Sequence, residues 1–197
     1  MNDSEKDELK CILLGESGVG KTCLLNALIG LGFNPNEISS ISSSYVTKKI
    51  IIGDKSYKVN LWDTIGQEEY HSLTKIFIKN SQLVFFVYDI TSRKSFEKLD
   101  FWYNTTMEIL GENAVIGFIG NKEDLYTKEQ VKEEEIEKYA QEKKAPFKYT
   151  SALTPSSFEI FLQKQVEAYI QKTGGIVENV GGKKLNTKKD NKSKKCC

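Results

Sequence analysis

The sequence is short of several things that would each point to a different kind of protein. Four cysteines in 197 residues are too few and too oddly placed for a disulfide framework: Cys11 and Cys23 fall in apolar runs, and Cys196 and Cys197 close the chain. A reducing compartment fits that usage. No apolar run approaches the roughly 20 residues that cross a bilayer, and the charged opening MNDSEKDELK lacks the apolar core of a signal peptide, so any membrane attachment is expected to be peripheral. Histidine is present once, as His71, which reads as a solvated side chain on a mobile loop rather than a general base. There is no internal repeat.

The near-neutral total hides a segregated charge. Residues 181–197 hold seven lysines and one aspartate, +6 against a net +1 for the chain, which leaves the remainder at −5. At 39% apolar content the rest can bury one substantial core, so one domain with an appendage is expected. Short apolar runs alternate with helical periodicity. Residues 9–15 read as a strand followed by a helix over 21–29, and 46–52 and 56–64 read as a hairpin around Gly53, Asp54 and Lys55. Further strands at 82–90, 114–121 and 147–152 precede helices expected at 93–110, 128–143 and 155–172, the first capped by Thr91 or Ser92. Such alternation predicts an α/β fold, a mostly parallel six-stranded sheet with one antiparallel strand and about five helices on both faces. From residue 174 glycine pairs and lysines replace apolar residues, and a disordered tether is expected.

GESGVGKT at 15–22 matches the phosphate-loop spacing and sits between a strand and a helix. Gly15, Gly18 and Gly20 permit a backbone that aims successive amides at phosphate oxygens, and the start of the following helix adds a favourable field. Lys21 would reach the β- and γ-phosphates, and the Thr22 hydroxyl is a hard oxygen of the kind Mg²⁺ prefers.

Two further motifs choose the base. NKED at 121–124 and SAL at 151–153 both end strands, where ligands of parallel sheets bind. The Asp124 carboxylate can accept from N1 and the 2-amino group of guanine, whereas adenine has no proton at N1 and no 2-amino group. WDTIGQ at 62–67 supplies Asp63 for Mg²⁺ through water, the Gly66 amide for a γ-phosphate, and Gln67 to orient an attacking water.

These motifs, with FFVYDIT at 85–91, SFEKLDFW at 95–102 and the terminal double cysteine, resemble the Ras superfamily and specifically the Rab family. The resemblance covers residues 8–172 and the tail. It implies a P-loop NTPase G domain over 8–173, after an N-terminal extension at 1–7 and before a basic hypervariable tail at 174–197. It implies nucleotide contacts from Gly15, Ser17, Gly18, Val19, Gly20, Lys21, Thr22 and Cys23, from Asn121, Lys122 and Asp124, and from Ser151, Ala152 and Leu153. Counting back from Trp62 places Ser40 at the switch threonine that binds Mg²⁺ and Phe33 at the aromatic residue packed on guanine, with Ser39 and Ser42 open as alternatives to Ser40. The metal set is then Thr22, Ser40 and Asp63, and the catalytic pair Gln67 and Lys21.

The implied activity is a GTP/GDP cycle regulating vesicle traffic. Its partners would be effectors, an exchange factor, a GTPase-activating protein and a GDP-dissociation inhibitor, with an escort protein and geranylgeranyl transferase modifying Cys196 and Cys197. The location implied is the cytoplasm and the cytoplasmic face of intracellular membranes. Two lipids anchor stably where one is marginal, and neighbouring lysines add attraction to anionic headgroups. KKCC is not a CaaX ending. Nucleic acid is not an expected ligand, because the globular part is acidic.

After Ile41, where the family's Ile-Gly-Val-Asp-Phe run begins, the sequence departs from the Rab pattern at Ser42, Ser43, Ser44 and Tyr45, and it departs again at Glu69, at Leu153 and most sharply at Ile65, where the family has alanine. Arg93, the only arginine, lies beyond the fourth strand, so turnover without an activator is expected near 10⁻⁴ s⁻¹, rising ~10³- to 10⁵-fold when a partner supplies an arginine. A GTP-loaded, hydrolysis-impaired membrane scaffold is the alternative reading; a kinase would share the loop but lacks support from NKED and SAL. If the β-branched Ile65 crowds the γ-phosphate, Ile65→Ala will hydrolyse GTP faster in a single turnover; equal rates would show that the serine-rich first switch leaves room.

Overall fold

The computed structural model describes residues 7–31, 44–64 and 71–174. Strand β1 (Asp7–Leu14) occupies the middle of the sheet because every residue from Cys11 to Leu14 is apolar and buried on one face or the other. It leads into helix α1 (Lys21–Leu28). Strands β2 (Ser44–Ile52) and β3 (Lys55–Asp63) form the hairpin, closed by the two-residue turn Gly53-Asp54, where Gly53 has a φ of 59°. Helix α2 (His71–Ile78), strand β4 (Leu83–Asp89), helices α3 (Arg93–Glu97) and α4 (Leu99–Leu110), strand β5 (Val115–Asn121), helix α5 (Glu133–Glu142), strand β6 (Phe147–Thr150) and helix α6 (Ser156–Lys172) follow.

The sheet order is β2-β3-β1-β4-β5-β6, all parallel except β2. Side chains alternate across it. Cys11 and Leu13 of β1, with Phe85 and Val87 of β4, pack under α1 and α6; Ile12 and Leu14, with Val84, Phe86 and Tyr88, pack under Trp102 of α4 and Ile136 of α5. All seven residues of β4 are buried, as a central strand covered on both faces requires. Burial pushes the Cys11 thiol far above its ordinary pKa, which makes it a packing residue and not a nucleophile.

The expected α/β sheet is therefore present, with local differences. Among the described residues six α-helices are observed where about five were expected, because α2 precedes β4 and the helix expected over 93–110 divides at Lys98, which stays in the right-handed helical region and ends one segment while starting the next. Ser92 is the cap, accepting from the Ser95 amide. The helix expected from 128 begins only at Glu133, because Glu123–Lys128 forms a 3₁₀ turn and the Glu135 side chain closes the new N-terminus on the Lys132 amide. Strand β6 stops at Thr150, where Ser151 and Thr154 bridge a turn.

Gly117 lets α6 approach β5: a Cβ there would lie 2.8 Å from the Phe161 ring. Gly117→Ala is accordingly expected to destabilise the nucleotide-loaded protein by about 1–3 kcal/mol through overpacking, read as a lower urea midpoint; an unchanged midpoint would show that Phe161 yields freely.

Candidate functional site

The carboxyl ends of β1, β3, β4, β5 and β6 meet along one edge of the domain, and the sequence-predicted residues gather there. At the end of β1 the chain turns through residues 15–20 into α1. Gly20 caps α1 with a φ of 93°, a left-handed conformation that side chains resist, and a Cβ on it would sit 2.5 Å from Asn121 Nδ2. A Cβ on Gly15 would collide with the carbonyl oxygen of Val87 in β4. The loop is thus pressed against two neighbouring strands at Gly15 and Gly20, where a side chain has no space. The first turn of α1 carries no acidic residue, so the positive end of its dipole is not offset by a carboxylate of its own and favours an anion. Lys21 is 5% exposed, and its Nζ donates to the carbonyls of Gly15, at 2.6 Å, and Glu16, at 2.8 Å. Its charge is thereby held in the mouth of the loop. Val19 is buried, Ser17 is exposed and Cys23 is half-buried. A glycine-rich loop seated closely at Gly15 and Gly20, with an embedded ammonium, fits a phosphate chain.

Beside it, Thr22 Oγ1 donates to Asp63 Oδ2 at 2.6 Å, joining the start of α1 to the end of β3. Asp63 is 2% exposed. A hydroxyl and a carboxylate this close are hard oxygen donors suited to Mg²⁺. No group of three or more His, Cys, Asp or Glu that could hold a metal occurs among the described residues; a cation at Thr22 and Asp63 would complete its shell with further oxygens, from hydroxyl, ligand or water. Thr64 Oγ1 donates to the Leu13 carbonyl at 2.6 Å and fixes the point where the chain leaves β3. Phe33, Ser40, Ile65, Gly66, Gln67 and Glu69, like Cys196 and Cys197, lie outside the described residues; His71 opens α2.

On the other side, Asn121 ends β5 at 1% exposure, donating from Nδ2 to the Val19 carbonyl at 2.8 Å and accepting at Oδ1 from Thr150 Oγ1 at 3.2 Å. Lys122 has a φ of 66°, which turns its side chain over the loop, where Nζ donates to the Gly18 carbonyl at 2.8 Å and pairs with Asp89 Oδ2 at 2.6 Å. Asp124 is exposed, with its carboxylate held by the Ser151 hydroxyl, and Ser151 Oγ in turn accepts from the Leu153 amide at 3.1 Å. Ala152 and Leu153 occupy the turn closed by the Thr154 amide on the Ser151 carbonyl, and Leu153 itself is 55% exposed. Residues remote in sequence thus form one ledge next to the phosphate loop, ending in a carboxylate that can accept from a base.

Sequence reasoning missed Asp89 and Thr150, which act on the site through Lys122 and Asn121. Their only sequence signal is position, since each ends a parallel strand.

The Ras family model matches residues 10–171, which span β1 through α6.

Gly20→Ala forces a Cβ into the left-handed region and against the Asn121 amide, so affinity for guanine nucleotide is expected to fall at least about tenfold by titration calorimetry; unchanged affinity would mean the loop does not need this close contact.

Proposed function

We propose that this chain, which belongs to the Ras family of small GTPases, a family that binds GTP and GDP with Mg²⁺, hydrolyses GTP and answers to regulators and effectors, works as a Rab-like switch on intracellular membranes. The observation that carries the guanine assignment is the ledge of Asn121, Lys122, Asp124 and Ser151 tied onto the phosphate loop. In this reading Asp124 accepts from N1 and the 2-amino group of guanine, and Ser151 holds the carboxylate in the required plane. The Ala152 and Leu153 backbone completes the base pocket, with Phe33 against the ring.

The phosphates lie against residues 15–23. Lys21 exchanges its loop carbonyls for β- and γ-phosphate oxygens, keeping its charge where negative charge accumulates. Thr22, Ser40 and, through water, Asp63 would hold Mg²⁺, which when bound would supply neutralisation of the phosphate charge. Gly66 meets the γ-phosphate and Gln67 orients the attacking water. Arg93 is committed elsewhere, to Glu135 and Gln130, which fits slow intrinsic turnover and an arginine supplied by an activating protein.

The effector reading has support beside the switch segments. Tyr45, 55% exposed, stacks on Trp62 with ring centroids 4.8 Å apart, and Phe77 lies 6.2 Å from Trp62. This aromatic ledge spans β2, β3 and α2, the elements that border residues 32–43 and 65–70. A partner docked on it would sense both segments, and exposed aromatics are strong anchors for such contacts.

Membrane residence rests on the tail: two geranylgeranyl groups on Cys196 and Cys197, assisted by lysines, with an escort protein and transferase for loading and a GDP-dissociation inhibitor for extraction. No described helix is long and apolar enough to cross a membrane. Mass spectrometry of the protein from its native cells should find both cysteines prenylated. A variant with Cys196→Ser and Cys197→Ser should leave the membrane fraction with its nucleotide still bound. Unmodified cysteines on membrane-bound protein would overturn the anchoring. Permanent GTP loading without hydrolysis in cell extract would favour the scaffold reading.

A further inference from the structure

The sole arginine is built into the site from behind. Arg93 follows the Ser92 cap at the start of α3, and its guanidinium meets Glu135 fork to fork, Nη1 to Oε1 at 2.5 Å and Nη2 to Oε2 at 2.8 Å. Nη2 also donates to the Gln130 carbonyl at 2.6 Å, and the Arg93 amide donates to Gln130 Oε1 at 3.1 Å. Gln130 returns the contact from its own amide to the Ile90 carbonyl at 2.8 Å. The guanidinium holds the Glu135 carboxyl down to about 2, so the pair stays charged throughout the physiological range.

These contacts close a segment that is otherwise tied to the domain through the Ser151 hydroxyl on the Asp124 carboxylate. Between buried Asn121 and buried Val131 no residue is buried; the chain passes through the 3₁₀ turn Glu123–Lys128, and Leu125 departs from helical geometry. Asp124 sits on this stretch. Its near end is fixed by Asn121 and by Lys122 on Asp89, and its far end by Gln130 and Glu135 on Arg93. An exposed, irregular segment draws its order from its end contacts, because it has almost no apolar surface to bury. A bidentate pair with two backbone contacts fixes direction as well as distance, which a single surface ion pair does not.

We propose that Arg93 is a positioning residue for base recognition, fixing through Gln130 and Glu135 the segment that presents Asp124, and so setting how selectively guanine is held. This rests on the reading of Asp124 as the guanine acceptor.

The test compares GDP with inosine 5′-diphosphate, which lacks the 2-amino group and hence one of the two hydrogen bonds to Asp124. The parent should prefer GDP. Arg93→Ala should lose about tenfold in GDP affinity and much less for the inosine nucleotide, narrowing the ratio. Arg93→Lys, which keeps the charge and loses the fork, should fall between. In an Asp124→Ala background Arg93→Ala should change GDP affinity no further, a result a purely structural role would not give. Glu135→Gln keeps an acceptor for the Lys132 amide and should narrow the ratio in the same direction, so it serves if Arg93→Ala does not fold. Equal weakening of both nucleotides, or none, would overturn the proposal while leaving the guanine reading intact. A parent indifferent between the two nucleotides would overturn that reading and this one with it.

Discussion

The arrangement of the site depends on one buried carboxamide. Asn121 spends its donor on the Val19 carbonyl and its acceptor on the Thr150 hydroxyl, so a single side chain joins the phosphate loop to the ends of β5 and β6. At 1% exposure neither hydrogen bond can be replaced by bulk water, and losing either partner would strand a buried polar group. Gly20 is part of the same constraint, because only a residue without a side chain lets the loop lie against that amide. Lys122 adds a second tie, from Asp89 to Gly18. In the proposed reading, grip on phosphate and choice of base are therefore coupled, because the loop seats on Asn121 and Lys122.

The sheet delivers these groups to one place. Parallel strands β1, β4, β5 and β6 point their carboxyl ends the same way, and the continuous burial of β4 anchors Asp89 as rigidly as the core itself. Strand β3, parallel to β1, ends level with it at Asp63, which brings a carboxylate to the Thr22 hydroxyl. Thr64 then ties the exit from β3 to Leu13.

Much of this was legible in the sequence because the motifs are local. Residues 15–22 carry their spacing, glycines, lysine and threonine in eight consecutive positions, and the strand and helix around them could be read from apolar periodicity. NKED was legible for the same reason. What stayed hidden depends on tertiary contact. Asp89 is one more acidic residue in FFVYDIT until the fold sets it 2.6 Å from Lys122. Thr150 is an ordinary strand residue until Asn121 faces it. Arg93 attracted notice only as an arginine too far along the chain to serve the phosphates, and its partners lie 37 and 42 residues away. The late start of α5 escaped for a related reason: charged residues at 128–135 suit a helix, but the 3₁₀ turn and the Glu135 cap on Lys132 override propensity there.

The central claim is a Mg²⁺-assisted site that selects guanine nucleotides through Asn121, Lys122 and Asp124. It is tested most directly by equilibrium binding of GTP and ATP to one preparation of the protein, with and without Mg²⁺. GTP is expected to bind at least about 10³-fold more tightly than ATP, since Asp124 can accept from N1 and the 2-amino group of guanine and adenine has no donor at either position, and to lose affinity markedly when Mg²⁺ is chelated. Equal affinity for the two nucleotides, or GTP binding indifferent to Mg²⁺, would contradict it.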